Sequence, residues 1–555
     1  MKNHSKLILL FVLILAFALR FWQLGSYPAL NADEAAIGYN AYSLIQTGHD
    51  EHGNSWPIHF QSFNDYKPGL YFYLVIPFIK TLGLTTWSVR LPNAILSVIT
   101  VYLLYLFIKK LEIGNWKDST ITSLEILAPA MLAISPWHIQ FSRGGWEVNV
   151  ATFLILLGSW LFVTGRKKLP TLMLSIVSFG LALYTYHAAR VVVPLVCAGL
   201  LIIYWKDLKG KTVNLLIAGL VGLVVILPIV KEFTKPDVVS RAAGVGLFAD
   251  PGPRNRINEQ RGEHGDYTSF VAKAFHNKAV NYTISFLENW GQHFWGEFLF
   301  LSGDTIQRNR VPETGEMYLV DLAFLITGFF VVFKKWGENR QVDEGWKMVF
   351  WWLIVAPTAA ALTFQSPHAL RAENMVIPLV IISAYGLSNL LLWIESGRSI
   401  KLQTTCYIIL ATIIIWQFAL YLHNYWVHMA KQYPFSSQYG VEELINYVEI
   451  NKADYKDIVV TTRYDQPFIL FLFYTKYPPN KFQEEHILTP KDQYGFSTVA
   501  DFGKYHFVPI DFESIRTRYP NSLIVGTPDE IPREANIIKR IYGSNDYEYF
   551  DLVAN

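Results

Sequence analysis

The sequence predicts a polytopic α-helical membrane protein of about eleven transmembrane helices, followed by a small α/β domain at the C-terminus. Three observations carry this prediction. Of 555 residues, 52% are hydrophobic and only 17% are charged, where a soluble chain would carry about a quarter charged residues. Apolar runs of about 18 residues or more recur from Leu7 to Tyr421. Beyond about Ala430 these runs cease, and the roughly 125 residues that remain suffice for one small domain. A net charge of +2 argues against a nucleic-acid surface. Cys197 and Cys406 both lie within apolar runs and read as small core residues, not as a disulfide or a metal site.

The first span is Leu7–Leu24. Lys2 and Lys6 precede it and no small-residue cleavage site follows, so it reads as uncleaved. Arg20 lies in its last turn, where it either snorkels to the headgroups or reaches toward Asp33. The first loop, residues 25–87, concentrates ionisable and aromatic groups between Asn31 and Gly69. It holds the pair Asp33-Glu34, the cluster His49, Asp50, Glu51 and His52, and then Asp65-Tyr66-Lys67-Pro68. Ionisable groups held against a bilayer are costly, so a functional site is expected here. Asp33–Gln46 reads as a helix with acidic residues at the positive end of its dipole and an apolar face, Ala36 to Ile45, lying on the membrane.

Pro68–Leu82 is short for a span, and whether it crosses inverts everything after it. The distribution of lysine and arginine decides. With this segment in the interface or re-entrant, later spans run at about 88–108, 121–138, 147–164, 169–186, 189–205, 212–230, 317–333, 347–364, 374–393 and 402–422. The short loops bearing Lys109, Lys110 and Lys117, Arg166 to Lys168, Lys206 to Lys211, Lys334 to Lys347, and Arg398 and Lys401 then all face the cytoplasm. The expected topology is N-terminus in and C-terminus out. The expected domains are 1–429, a multi-spanning membrane domain, and 430–555, an extracytoplasmic α/β domain.

This topology places Asp33, Glu34, Asp65, Lys67, Arg143, Glu147, His187, Arg190, His368, Arg371 and Glu373 at the outer face. A long outer loop, 231–316, contains a Gly/Pro-rich stretch, Pro251–Asp266, that reads as flexible, and an aromatic segment, Thr268–Leu301, that reads as helical. In the C-terminal domain Val441–Val448 reads as a helix. Ile458–Thr462, His506–Ile510, Leu523–Val525, Ile537–Ile541 and Tyr547–Leu552 read as strands, with a hairpin turn at Gly543–Asp546. This domain has no phosphate-binding glycine loop, paired metal ligands or nucleophile elbow, so it is assigned a supporting or acceptor-binding role.

Asp33-Glu34 reads either as a helix-capping pair or as a carboxylate that deprotonates an acceptor hydroxyl. Lys67 and the outer arginines Arg143, Arg190 and Arg371 read as an anion site or as lipid-headgroup contacts, since lysine binds phosphate as a point charge and arginine bidentately. The His49/His52 cluster is more often a solvated loop than a metal site. His187 and His368, each at the end of a span, are supporting candidates together with Arg20.

The order of LNADEAAIGYNA, DYKPGLYFYL, VRLPNAILSVITVYLLYLF and ISPWHIQFSR, behind a span with a late arginine, resembles glycosyltransferase family 39 and its C-type relatives. These include protein O-mannosyltransferases and the aminoarabinose transferases of lipid A. The resemblance covers Leu7 to about Tyr186 and extends more loosely through the Ser302-Gly303-Asp304 and Ser366–Leu387 segments.

The resemblance implies a C-type fold and a hexosyl or pentosyl transfer, with inversion, from a polyprenyl-phosphate sugar. The acceptor would be a hydroxyl of a protein, lipid or glycan at the outer face of the cell membrane. It makes Asp33 and Glu34 the catalytic pair, with Asp33 the base and Asp65 its alternative, and sets Lys67 near the donor phosphate. Here Lys67-Pro68-Gly69 stands where relatives have Lys-Pro-Pro, Arg308-Asn309 where they often have Arg-His, and Ala372 where a tyrosine usually follows the arginine. Some relatives hold a divalent cation at the acidic motif, which here would fall to Asp33 and Glu34, and others do not. A transporter or flippase of a lipid-linked substrate is the competing class, but the paired halves and mid-membrane charges it requires are absent.

Overall fold

The computed structural model describes residues 2–62, 65–111, 113, 123–234, 244–339, 343–396, 399–433, 436, 438–464, 466–490 and 497–555. Lys117, Arg340 and Arg398, three of the charges that orient the chain, lie outside these residues, as does the side chain of Asp65. The chain forms two compact units. One comprises residues 1–22, 94–142 and 146–424, and the other 23–93, 143–145 and 425–555.

The first unit is helical, and most apolar runs read from the sequence fall on one helix, but 121–138 is divided between Leu124–Ile134 and Pro136–Ser142 and 347–364 between Glu344–Val355 and Thr358–Ala361. Among the described residues five helices are long and apolar enough to cross a membrane, among them Glu147–Gly165, Thr212–Glu232 and Ile400–Gln432. Leu124–Ile134, Leu169–Ala182 and Ala189–Ile203 are shorter and apolar. Helices Leu319–Asn339 and Val376–Glu395 cross at very close range. A Cβ on Gly386 would stand 1.8 Å from the Phe324 carbonyl oxygen, and one on Gly328 would stand 2.4 Å from that of Ile382. Small residues let backbones meet where lipid offers no hydrophobic drive for association. Buried polar pairs fasten other crossings, as where Asn149 donates to Ser97 (2.6 Å) and Ser383 to Asp321 (2.7 Å).

Arg20 does not snorkel. It is fully buried and donates to the carbonyls of Ala133 (3.0 Å) and Leu132 (3.3 Å) and contacts His138 Nδ1 at 2.6 Å, tying the first helix to Leu124–Ile134. Pro251–Asp266 is not a loop through its length either. Pro251–Gly262 is a helix whose N-cap, Asp250, accepts from Gly252 N. A capped start with proline in the first turn outweighed the glycine and proline count. It packs on Lys278–Gln292, to which Arg256 is bridged through Glu288.

The second unit joins the first loop to the C-terminal domain. Its strands are β1 (His59–Ser62), β2 (Asp65–Pro68), β3 (Asp457–Thr461), β4 (Ile487–Leu488), β5 (Val499–Phe502), β6 (Tyr505–Val508), β7 (Ser522–Gly526), β8 (Ile537–Tyr542) and β9 (Glu548–Ala554). β1 and β2 form an antiparallel hairpin in which Phe60 faces Lys67 across the ladder. The others form one mixed sheet in the order β4-β5-β6-β3-β7-β9-β8, with β3 parallel to β6 and β7. Val459, Ile524 and Val553 of this sheet close on Phe512, Ile515 and Ile531 to make one core.

The loop helix, Ala32–Thr47, packs on helices Leu70–Leu82, Pro467–Thr475 and Pro479–Glu485. Ala36, Ile37, Tyr39, Ala41 and Leu44 are therefore buried in protein, not laid on a membrane. A Cβ on Gly38 would meet the Phe473 ring at 2.6 Å, Tyr39 donates to the Tyr477 carbonyl (2.9 Å), and Gln483 donates to the Asp50 carbonyl (2.8 Å). Leu70–Leu82 has 13 residues, a length of about 20 Å against the roughly 30 Å of a hydrocarbon core.

Candidate active site in the first loop

The acidic pair opens the loop helix, but neither carboxylate is its N-cap. Asn31 takes that position, its side chain accepting from Glu34 N (3.0 Å) while Glu34 Oε2 accepts from Asn31 N (3.2 Å), a reciprocal capping box. Neighbours on a helix diverge by about 100°, and here the two acids part company.

Glu34 is turned inward and is 1% exposed. Arg90 grips it bidentately, Nε to Oε1 at 2.6 Å and Nη2 to Oε2 at 2.7 Å, and Gly145 N donates to Oε1 at 2.8 Å. Arg90, also fully buried, donates in addition to the carbonyls of Leu24, Pro28 and Ala29. Glu34 is thus the keystone of the loop.

Asp33 points the other way, its side chain 26% exposed, and forms an ion pair with Lys67 of β2. Lys67 is held by the hairpin and by the turn at Gly69. Gly69 N donates to the Ile58 carbonyl (2.9 Å), and a Cβ on Gly69 would stand 2.7 Å from that oxygen. Glycine at this place in the motif is therefore required by space and by its N–H, both of which proline would violate.

Arg143 is 1% exposed. Its Nη2 donates to the Tyr27 carbonyl (3.1 Å), its Nε to the Tyr425 hydroxyl (3.1 Å), and its guanidinium lies 4.3 Å from the centre of the Trp426 ring. Asp50 builds a turn, accepting from His52 N, Asn54 N and Asn54 Nδ2. Glu51 is fully buried beside it, and among the described residues neither of its carboxylate oxygens is hydrogen-bonded. Burial first, then the Asp50 charge, pushes its carboxyl up to about 8. Burial also depresses the adjacent His52 to about 3. Among the described residues no group of three His, Cys, Asp or Glu side chains is placed to hold a metal ion. Asp33 and Glu34 do not fit one in this arrangement, because Arg90 and Gly145 already take both Glu34 oxygens.

The remaining expected residues lie in the first unit, in three places. Arg20 is buried against His138. Arg190 donates to His187 Nδ1 (3.0 Å) and stands over the Phe233 ring. His368 and Arg371 surround the Ser302-Gly303-Asp304 turn: Asp304 Oδ2 accepts from Ala369 N (2.7 Å) and Asn309 Nδ2 (3.0 Å) and lies 3.5 Å from His368 Nδ1. His293 Nε2 accepts from His368 N (3.1 Å), and burial lowers this imidazole to about 4. Arg371 donates to Thr363 Oγ1 at 2.7 Å. Asn309, standing where relatives often have histidine, thus braces Asp304.

Sequence reasoning passed over Arg90 and Asp304 as site residues, and weighed Glu51 only as a member of the His49/His52 cluster. The signal for Arg90 was present: a charge five residues into a 26-residue apolar helix, Thr86–Leu111, is costly unless paired.

Residues 10–234 match the family model described as dolichyl-phosphate-mannose-protein mannosyltransferase. No curated protein matches the chain by sequence. Among solved structures, ArnT from Cupriavidus metallidurans bound to undecaprenyl phosphate is similar at 12% identity and a TM-score of 0.52, over 100% of this chain and 98% of that one. The oligosaccharyltransferase AglB from Archaeoglobus fulgidus, in complex with an inhibitory peptide and a dolichol-phosphate, is similar at 12% identity and a TM-score of 0.51, over 85% of this chain. The present chain spans 64% of that protein's length. The apo form of the Archaeoglobus enzyme gives a TM-score of 0.53 at 11% identity. The resemblance read from the sequence is borne out: the chain has the fold of the C-type membrane glycosyltransferases, and its residues 10–234 match the mannosyltransferase family within them.

Proposed function

We propose that the chain is an integral membrane glycosyltransferase that moves a sugar from a polyprenyl-phosphate donor to a hydroxyl of a protein, lipid or glycan at the outer face of the cytoplasmic membrane. The observation that carries this reading is the Asp33–Lys67 pair. It joins a carboxylate and a cation 34 residues apart, both within the stretch that matches the family model. The similar structures containing dolichol-phosphate and undecaprenyl phosphate support a lipid-phosphate donor. About eleven spans with the N-terminus inside follow from the positive charge of the short loops.

In this reading the resting pair opens when the donor arrives. Lys67 moves from the Asp33 carboxylate to the donor phosphate, and the carboxylate is released to act as base. The acceptor oxygen gives its proton to Asp33 and bonds to the anomeric carbon. The bond from that carbon to the phosphate oxygen breaks with inversion, and the polyprenyl phosphate leaves with its negative charge beside Lys67. Glu34 takes no part in bond making and holds the helix start in place through Arg90.

The test is transfer by purified protein from a panel of polyprenyl-phosphate sugars, with products identified by mass spectrometry. Asp33→Asn lowers single-turnover transfer by about 10²–10⁴-fold with donor binding retained, and Lys67→Ala weakens donor binding. Near-normal transfer by Asp33→Asn with collapse of Asp65→Asn would move the base to Asp65. Unchanged donor affinity and turnover in Lys67→Ala would remove the phosphate assignment.

A further inference from the structure

Within the first unit the helices Pro251–Gly262 and Lys278–Gln292 flank an open groove of about 530 Å³. That volume lies in the range of sites that take small molecules, roughly 300–1,000 Å³. Its walls are apolar, with Leu247, Phe248, Tyr282, Phe286 and Leu362 among them. Phe248 is 76% exposed and meets Tyr282 at 4.9 Å between ring centres.

Two cations complete the lining, Arg254 and Lys278. Both are exposed, and neither makes an ion pair or hydrogen bond among the described residues. Their neighbours on the same helices differ: Arg256 is paired with Glu288, and Arg261 Nε donates to the His276 carbonyl at 2.7 Å. The nearby Asp250 carboxylate is occupied by Gly252 N. Among the described residues no carboxylate or amide side chain lines the groove, so the hydroxyls of Tyr282 and Thr283 are its only neutral polar side-chain groups, whereas a phosphate finds two unneutralised cations. Phe270, Phe275 and Leu287, on these helices and the short one between them, are 85%, 67% and 56% exposed, which suits a surface that meets acyl chains.

We propose that this groove binds one anionic phospholipid of the surrounding leaflet, with Arg254 and Lys278 on its phosphate and its chain along Phe248, Tyr282 and Phe286. The site is independent of the transfer reading above. An arginine that can fork onto phosphate oxygens beside a lysine point charge is a suitable donor set, and the aromatic floor removes the first chain carbons from water. A resident lipid here would anchor the helix pair to the membrane surface.

The test uses the full-length protein in neutral detergent, with retention of phosphatidylglycerol read by native mass spectrometry and by titration of a fluorescent analogue. The wild type retains one phosphatidylglycerol and prefers it to phosphatidylcholine. The double variant R254Q/K278Q weakens binding by about 30-fold, taking about 1 kcal/mol for each cation near a lipid surface. F248S weakens it independently by removing chain contact, and R256Q, whose cation is already paired, leaves it unchanged. Phe248, Arg254 and Lys278 are exposed and Arg256 is half-buried, and unchanged thermal unfolding confirms folding. Equal binding of phosphatidylcholine, full retention by the double variant, displacement by millimolar inorganic phosphate, or preference for undecaprenyl phosphate over phosphatidylglycerol would each overturn the proposal.

Discussion

Replacing Glu34 should damage the fold, whereas replacing its neighbour Asp33 should damage only the chemistry. Glu34 accepts five hydrogen bonds: two from Arg90, one from Gly145 N and two from Asn31. In Glu34→Ala the fully buried Arg90 guanidinium keeps its three carbonyl partners but loses the carboxylate that balances its charge. Removing one member of a buried ion pair costs about 3–5 kcal/mol. The Asn31 cap on the backbone N–H of residue 34 remains, but loss of the reciprocal bond to Asn31 N adds about 1 kcal/mol, and the stranded Gly145 N–H about 1–3 kcal/mol. Neighbouring terms do not add fully, so about 5 kcal/mol is expected, comparable with the whole stability of a modest domain.

Glu34→Gln preserves volume but turns an amide N–H₂ toward Arg90, costing about one charge-assisted hydrogen bond, 1.5–3 kcal/mol. Asp33 is partly exposed and its partner Lys67 is buried, but the amide oxygen of Asp33→Asn can still accept from Lys67, so this substitution should cost about 1 kcal/mol, the difference between a charge-assisted and a neutral hydrogen bond. The assay is thermal unfolding of the purified variants in detergent alongside single-turnover transfer. The expected order of unfolding temperatures is Asp33→Asn near wild type, Glu34→Gln lower and Glu34→Ala lowest or not recoverable. Glu34→Ala unfolding at the wild-type temperature, or Asp33→Asn falling as far as Glu34→Gln, would refute the division of labour.

Three further outcomes are expected. Glu51 is neutral in the fold up to about 8 but ionises near 4.3 when unfolded. The folded state therefore binds the extra proton between these values, and stability falls as pH rises through that window. Glu51→Gln should flatten the decline of thermal stability between pH 5 and 9, and an unchanged slope would remove Glu51 as its source. Gly69→Pro should destabilise the hairpin and weaken donor binding even though it restores the pattern of the relatives, because it deletes the bond to Ile58 and drives atoms into its carbonyl. Wild-type stability in that variant would contradict the steric account. Cysteine at Gly210 should resist an impermeant thiol reagent in intact cells while cysteine at Asn480 reacts, and the reverse pattern would invert the topology.

Much of the helical unit was legible because a bilayer imposes a length and a composition on each crossing segment, so apolar runs such as 147–164 and 212–230 reappear as helices Glu147–Gly165 and Thr212–Glu232. Five of the seven strands of the C-terminal sheet were visible in their β-branched and aromatic residues, whereas β4 and β5, at one edge of the sheet with no continuous apolar run, were not. Helix Pro467–Thr475, PFILFLFYT, lacks a polar face and carries no amphipathic period to read. Asp33 and Lys67 stood out through the order of motifs, and their pairing follows from the β1–β2 hairpin. No local pattern disclosed the partner of each buried charge. Arg90 lies 56 positions from Glu34, and the apolar face of the loop helix gave no sign that its cover was Phe473 and Phe482 and not lipid.

That cover has a consequence for how the protein is made. Leu70–Leu82 follows the loop helix closely in the chain, whereas its other two covering helices, Pro467–Thr475 and Pro479–Glu485, are translated long after it. Roughly 420 residues separate Thr47 from Pro467, so at synthesis rates of about 5–20 residues per second the helix waits about 20–85 s for them. During that interval the Gly38–Tyr39 face, later covered by Phe473, Tyr477 and Phe482, stands open to chaperones, proteases and the membrane surface. Chains stopped before Pro467 would present this face permanently, which would give cellular quality control a direct readout of unfinished synthesis.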